Sequence, residues 1–141
     1  MCDATARAEQ LLPMELTAAA AARRFAQQSG CTAHALELLD DALLLISELV
    51  TNSVRHGGPP IVLAIECDGE GLHVRVRDGA PNPPVPRTSG PDAEGGRGLT
   101  LVELLSDTWG VEPVADEHGP GKEVWFELRR RPASVEPAPT G

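Results

Sequence analysis

The sequence predicts an α+β domain, a two-layer sandwich with helices on one face of a mixed, mostly antiparallel sheet. Three observations lead there. The apolar pattern reads helix, helix, strand, strand, long loop, helix, strand, strand, an order that buries one face of a sheet under helices. Residues 61–67 read as a strand and 72–78 as a cleanly alternating one, on either side of the tight turn Asp68-Gly69-Glu70-Gly71, which makes a hairpin with one buried face. The apolar run Ala42-Leu43-Leu44-Leu45-Ile46 leads into Glu48-Leu49-Val50-Thr51-Asn52-Ser53-Val54-Arg55-His56, and together they read as a long buried helix.

In chain order, residues 1–10 are expected to be disordered, and 11–16 form an edge strand, since Pro13 is tolerated only at an edge. Thr17 is a suitable N-cap for the alanine-rich helix 18–28, and Ser29-Gly30 ends it. The second helix runs over 32–56 and breaks at Gly57-Gly58-Pro59-Pro60. After the hairpin, residues 80–96 are rich in proline and glycine. A loop of that length inside a compact domain is most often functional or disordered. A third helix over 98–106 and two strands over 108–114 and 122–130 complete the domain. The expected domain is therefore 11–131, with a disordered tail over 132–141.

At 141 residues, 41% of them hydrophobic, the chain is one ordinary globular domain. Aromatic residues are only 3%, so the core is built from Leu, Val, Ile and Ala. No apolar run spans a bilayer and the start carries no signal-peptide centre, so the expectation is a cytoplasmic protein without membrane contact. Cys2, Cys31 and Cys67 fit neither a disulfide framework nor a zinc site, and Cys31 and Cys67 read as small buried residues. The net charge of −9 argues against direct nucleic-acid binding, which usually needs a basic stripe. The one dense basic cluster is Arg129-Arg130-Arg131. An acidic surface suits a partner with basic patches.

Glu48, Asn52 and His56 fall at i, i+4 and i+8, one polar stripe of a helix. A carboxylate and a carboxamide turned inward are costly unless satisfied, and a metal with a phosphate chain would satisfy them. Magnesium takes one or two protein oxygens and fills its shell with phosphates and water, a role open to the Asn52 carbonyl. Asp78 ends a strand before Gly79; it either opens a turn or accepts a base amine. Gly95-Gly96-Arg97-Gly98-Leu99 opens a helix, where glycines admit phosphate and the helix N-terminus attracts anions. The same run also reads as a linker. Arg55 either forks onto a phosphate or sits as a cation at a helix end, the second slightly favoured, and His56 reads as a cap or packing residue. Trp109 and Trp125 read as core or sheet-face residues.

Glu-x-x-x-Asn on a helix, Asp-Gly after a strand and a Gly-rich segment before a helix, in that order, resemble the ATP-binding domain of the gyrase, chaperone, histidine-kinase and mismatch-repair superfamily. Within it, "SELVTNSVRHG", "GGRGL" and "WGVEP...GKEVWFEL" are similar to stand-alone actinobacterial anti-sigma-factor serine/threonine kinases. The resemblance covers roughly residues 14–130. It implies ATP and Mg2+ as cofactors, Asn52 as metal ligand, and Asp78 as acceptor of the adenine amine. It places Asn52, Arg55, Asp78, Ala80, Gly96, Arg97, Gly98 and Leu99 at the nucleotide. Glu48 then either activates the attacking hydroxyl or orders metal-bound water.

The implied partners are a sigma factor, held by this chain, and an anti-anti-sigma protein phosphorylated on Ser or Thr; relatives often form homodimers. Two departures stand out. The family pattern Asp-x-Gly-x-Gly reads here Asp78-Gly79-Ala80-Pro81-Asn82, which restricts the backbone beside the base. The family often has Thr, contacting adenine, where Glu123 stands, which weighs against tight nucleotide binding. The alternative is a catalytically inactive nucleotide-binding interaction module of the same fold. A histidine-kinase fragment fits less well, because no helix with a phospho-accepting His precedes the domain and His34 lies too close to the nucleotide helix.

Overall fold

The computed structural model describes residues 6–29, 36–67, 70–80 and 94–129, with only the backbone of residues 6, 36, 37 and 94–98. Among them the order is β1 (Ala6–Leu12), α1 (Ala18–Gln28), α2 (Leu36–His56), β2 (Ile61–Cys67), β3 (Gly71–Asp78), α3 (Glu94–Leu105), β4 (Thr108–Asp116) and β5 (Gly119–Arg129). The five strands make one sheet in the order β1-β2-β3-β5-β4. Every pairing is antiparallel. The fold is thus the expected α+β sandwich, and its sheet is antiparallel throughout rather than mixed.

The core follows from two periodicities. On α2, Ala42, Leu45, Ile46, Leu49, Val50 and Ser53 are buried, a run of three- and four-residue steps that forms a single stripe. On β2, Ile61, Leu63, Ile65 and Cys67 face that stripe; on β3, Leu72, Val74 and Val76; on β5, Val124, Phe126 and Leu128. The register pairs Leu72 with Leu128, Val74 with Phe126 and Val76 with Val124, so apolar rows cross the sheet beneath the helix. Helix α1 presents Ala18, Ala22 and Ala26, all fully buried. Their methyl groups let α1 approach closely, and the Arg23 guanidinium donates to Ser47 Oγ on α2 at 2.9 Å.

Several expectations are corrected. Strand β1 begins at Ala6 and pairs along its whole length with β2, so residues 6–10 are strand. The apolar residues among 6–10 are only Ala6 and Ala8, too weakly apolar to show as a strand pattern. Pro13 follows the strand instead of interrupting it. Thr17 makes no side-chain cap, and its hydroxyl lies 3.4 Å from Glu15 Oε1. Helix α3 begins at Glu94, so the glycine cluster is its first turns rather than its approach. Glycine costs up to about 1 kcal/mol in a helix but does not forbid one. Cys67 is disulfide-bonded, not a free core thiol; Cys2 and Cys31 lie outside the described residues. Residues 81–93 of the expected 80–96 loop, residues 32–35 at the expected start of α2 and the expected tail over 132–141 also lie outside them. None of the described helices is long and apolar enough to cross a membrane.

The face of the sheet away from the helices is polar. Arg75 lies between Glu66 at 3.8 Å and Glu123 at 3.9 Å. Trp125 stacks on His73 with centroids 5.4 Å apart and covers Gly110, whose missing Cβ would meet the indole. Trp109 instead packs against the core edge. Both tryptophans therefore take the structural places expected of them.

Candidate functional site

Three of the apolar rows end in polar residues at the same corner of the core. On β3 the inward row Leu72, Val74, Val76 continues to Asp78. On β5 the row Leu128, Phe126, Val124 continues to Lys122. On α2 the buried stripe continues past Val50 to Ser53. Asp78 and Lys122 are direct cross-strand partners. They are 2% and 8% exposed, and Ser53 is 6% exposed. A buried charge needs a partner and hydrogen bonds, and here both are present. Lys122 Nζ donates to Asp78 Oδ1 at 2.8 Å and Oδ2 at 2.9 Å. Ser53 Oγ donates to Oδ2 at 2.8 Å, and the Ala80 amide donates to Oδ1 at 2.9 Å.

Backbone closes around this carboxylate. A Cβ on Gly57 would stand 2.5 Å from Asp78 Oδ2, so the chain leaving α2 can pass over Asp78 only as glycine. The Gly79 amide donates to Gly58 O at 2.6 Å, and a Cβ on Gly79 would collide with the Pro59 carbonyl. We expect Gly79→Ala to cost about 1–3 kcal/mol, the usual range for overpacking, because the obstacle is backbone rather than a mobile side chain. Urea unfolding checks this; a change within experimental error would mean that the 57–59 segment yields freely.

Arg77, the neighbour of Asp78 on the opposite sheet face, fixes the same corner from behind. It is 3% exposed. Its Nε donates to Asp116 Oδ2 at 3.0 Å, its Nη2 to Asp116 Oδ1 at 2.6 Å and its Nη1 to the Asp78 carbonyl at 3.1 Å. The guanidinium thereby ties the β4–β5 turn to the end of β3.

Hydrogen bonds from Arg77, then from the His118 amide, hold the Asp116 carboxyl below its ordinary value of 3.8. The folded value is depressed, so the contribution to stability is present above pH 3.8 and is lost as pH falls through the lower folded value. Glu127 behaves likewise, lowered from 4.5 first by the Thr108 hydroxyl and then by His73. Burial raises Glu123 above 4.5, which acts in the opposite sense. We expect Asp116→Asn to flatten the loss of stability below about pH 4. Thermal unfolding between pH 2.5 and 6 checks it, and an unchanged slope would contradict it.

The sequence-predicted residues divide as follows. Asp78 is the buried centre of the corner. Glu48 and Asn52 lie on the half-buried border of α2, and Arg55 and His56 are exposed at its end. Glu48, Asn52 and Arg55 each take part in polar or ionic contacts. Ala80 contributes its amide to Asp78. Gly96, Arg97 and Gly98 are in the first turns of α3, where only the backbone is described, and Leu99 is packed in the core.

Glu123 is not in this corner. Adjacent strand residues face opposite sides, so Lys122 points to Asp78 while Glu123 points to Arg75. Sequence reading missed Ser53, Lys122 and Arg77. One signal was present: of twelve basic residues eleven are Arg, and Lys122 is the single Lys.

A separate cleft of about 270 Å3 lies at the opposite end of β3, lined by Glu66, Glu70, His73, Glu127 and Arg129 among others. Three carboxylates make it a poor host for a polyphosphate, and it shares no residue with the Asp78 corner.

The family model of the histidine kinase-like ATPase domain matches residues 11–128. The chain belongs to that family. Membership supports ATP binding, which in such domains is typically accompanied by Mg2+. No curated protein matches the chain. The Asp78 carboxylate is an acceptor of the kind an exocyclic amine needs, and in this structure its positions are taken by Ser53, Lys122 and the Ala80 amide.

Proposed function

We propose that this chain is an ATP-binding anti-sigma regulatory factor that works by partner switching. It binds Mg-ATP at the corner formed by α2, the end of β3 and the start of α3. It holds a sigma factor, and it transfers the γ-phosphoryl group to a Ser or Thr of an anti-anti-sigma partner. The observation that carries the nucleotide part is the buried Asp78, at the end of β3 and hydrogen-bonded to α2 one residue beyond Asn52.

In this reading Asp78 accepts the adenine amine. Asn52 gives one oxygen to Mg2+. The rest of its shell is phosphate and water. Arg97 and the amides at the start of α3 meet the phosphates. Glu48, one turn before Asn52, acts on the attacking hydroxyl; positioning and electrostatics supply most of such a reaction. Glu123 faces Arg75 on the far side of the sheet and so does not crowd Asp78.

The test is incubation with γ-labelled ATP and candidate anti-anti-sigma proteins from the same genome. Label on a partner Ser or Thr supports the kinase. ATP binding without transfer to any partner would instead favour an inactive nucleotide-binding module.

A further inference from the structure

The carboxylate required by the nucleotide reading is already full. A carboxylate offers about four acceptor positions, and four donor contacts reach Asp78, from Ser53, the Ala80 amide and twice from Lys122. At 2% exposure, with Gly57 backbone against Oδ2, no face is left for a fifth donor. An adenine amine can therefore enter only if one donor leaves. Ser53 is fixed in the buried stripe of α2, and the Ala80 amide is backbone two residues from the carboxylate it serves. Lys122 alone holds its donor at the end of a long rotatable stem.

We propose that Lys122 is a resident competitor for the adenine amine. Its ammonium fills Asp78 in the unliganded chain and releases at least one carboxylate oxygen when adenine enters, so that Lys122 sets which bases the site admits. This rests on the nucleotide reading and adds a specificity-determining residue to it.

The chemistry favours lysine in this place. An ammonium is a compact point charge that can drop one oxygen and keep the other, whereas the arginine fork would clamp both. A chain that uses arginine at its eleven other basic positions keeps lysine here. After release the ammonium remains beside Asp78, so the buried charge stays balanced. It is then placed to donate to N1, the ring nitrogen next to the adenine amine. Guanine carries a carbonyl oxygen where adenine has its amine, and that oxygen has no proton with which to replace the ammonium on Asp78.

Because the chain has a single lysine, labelling with 15N-lysine gives one side-chain ammonium signal. That signal is recorded on the full chain without ligand and with Mg-ATP, Mg-GTP or Mg-tripolyphosphate, with calorimetry of each in parallel. The expected result is a signal that shifts, and whose protons exchange faster, with ATP alone. An unchanged signal at calorimetric saturation with ATP overturns the proposal and leaves the nucleotide reading standing. The same shift with tripolyphosphate overturns it too, since the response is then to phosphate and not to base. An equal shift with GTP overturns the selectivity. Calorimetry showing no ATP binding overturns both the proposal and the nucleotide reading.

Discussion

Asp78→Asn is expected to destabilise the chain by about 3–5 kcal/mol, the cost of leaving one member of a buried ion pair without its partner. The substitution keeps the shape of the side chain but leaves the Lys122 ammonium 8% exposed with no counter-charge. ATP binding should be largely lost at the same time, because the carboxamide carries no charge and presents an NH2 donor where one acceptor oxygen stood. The double variant Asp78→Asn with Lys122→Met separates the two effects. Replacing a buried ion pair by less polar groups is often neutral, so the double variant should regain most of the stability and still fail to bind ATP. Urea unfolding and calorimetry read both quantities. A single variant within about 1 kcal/mol of wild type would show that the pair is not buried as described.

The second large effect is expected at α2. Glu48→Gln should slow phosphoryl transfer by about 10²–10⁴-fold, the usual contribution of a positioned base, while ATP affinity stays near wild type. Asn52→Ala should instead abolish Mg-dependent ATP binding, because the metal loses its one protein oxygen. The two residues stand one helical turn apart on the half-buried border of α2, so neither change opens the core, and both variants should remain folded. Transfer at the normal rate in Glu48→Gln would reduce Glu48 to an ordering group. Undiminished Mg-ATP affinity in Asn52→Ala would remove the metal assignment.

Much of this architecture is legible in the sequence. Helix α1 and strand β2 have the bounds that the sequence suggests, because Ser29-Gly30 closes the alanine-rich segment and Gly57-Gly58-Pro59-Pro60 sets where the apolar strand begins. Helix α3 was misplaced at its start because Gly95, Gly96 and Gly98 argue against helix locally, while the chain forms one from Glu94 onward. Strand β1 extends earlier than the sequence suggests because residues 6–10 offer only two alanines as apolar signal, and pairing to β2 decides them.

The site was half legible. Asp78 shows itself by position at the end of an alternating strand, and extending that same alternation places it inward. Lys122 could be found only with the register of β3 against β5, a long-range pairing that no local pattern encodes. Glu123 faces Arg75 rather than Asp78 for a related reason: a motif position says which residue stands near a site, whereas the pleat decides which of two neighbours faces it. Ser53 was passed over because Asn52 beside it carries the more familiar chemistry.

The central claim is that adenine nucleotide binds at the corner built by Asp78, Lys122 and α2. Calorimetry with Mg-ATP, Mg-GTP and ATP in EDTA tests it most directly. Saturable 1:1 binding of Mg-ATP, much weaker binding of Mg-GTP and loss of binding in EDTA are expected. Equal affinity for ATP and GTP would contradict the role of Asp78, and absence of any nucleotide binding would contradict the claim itself.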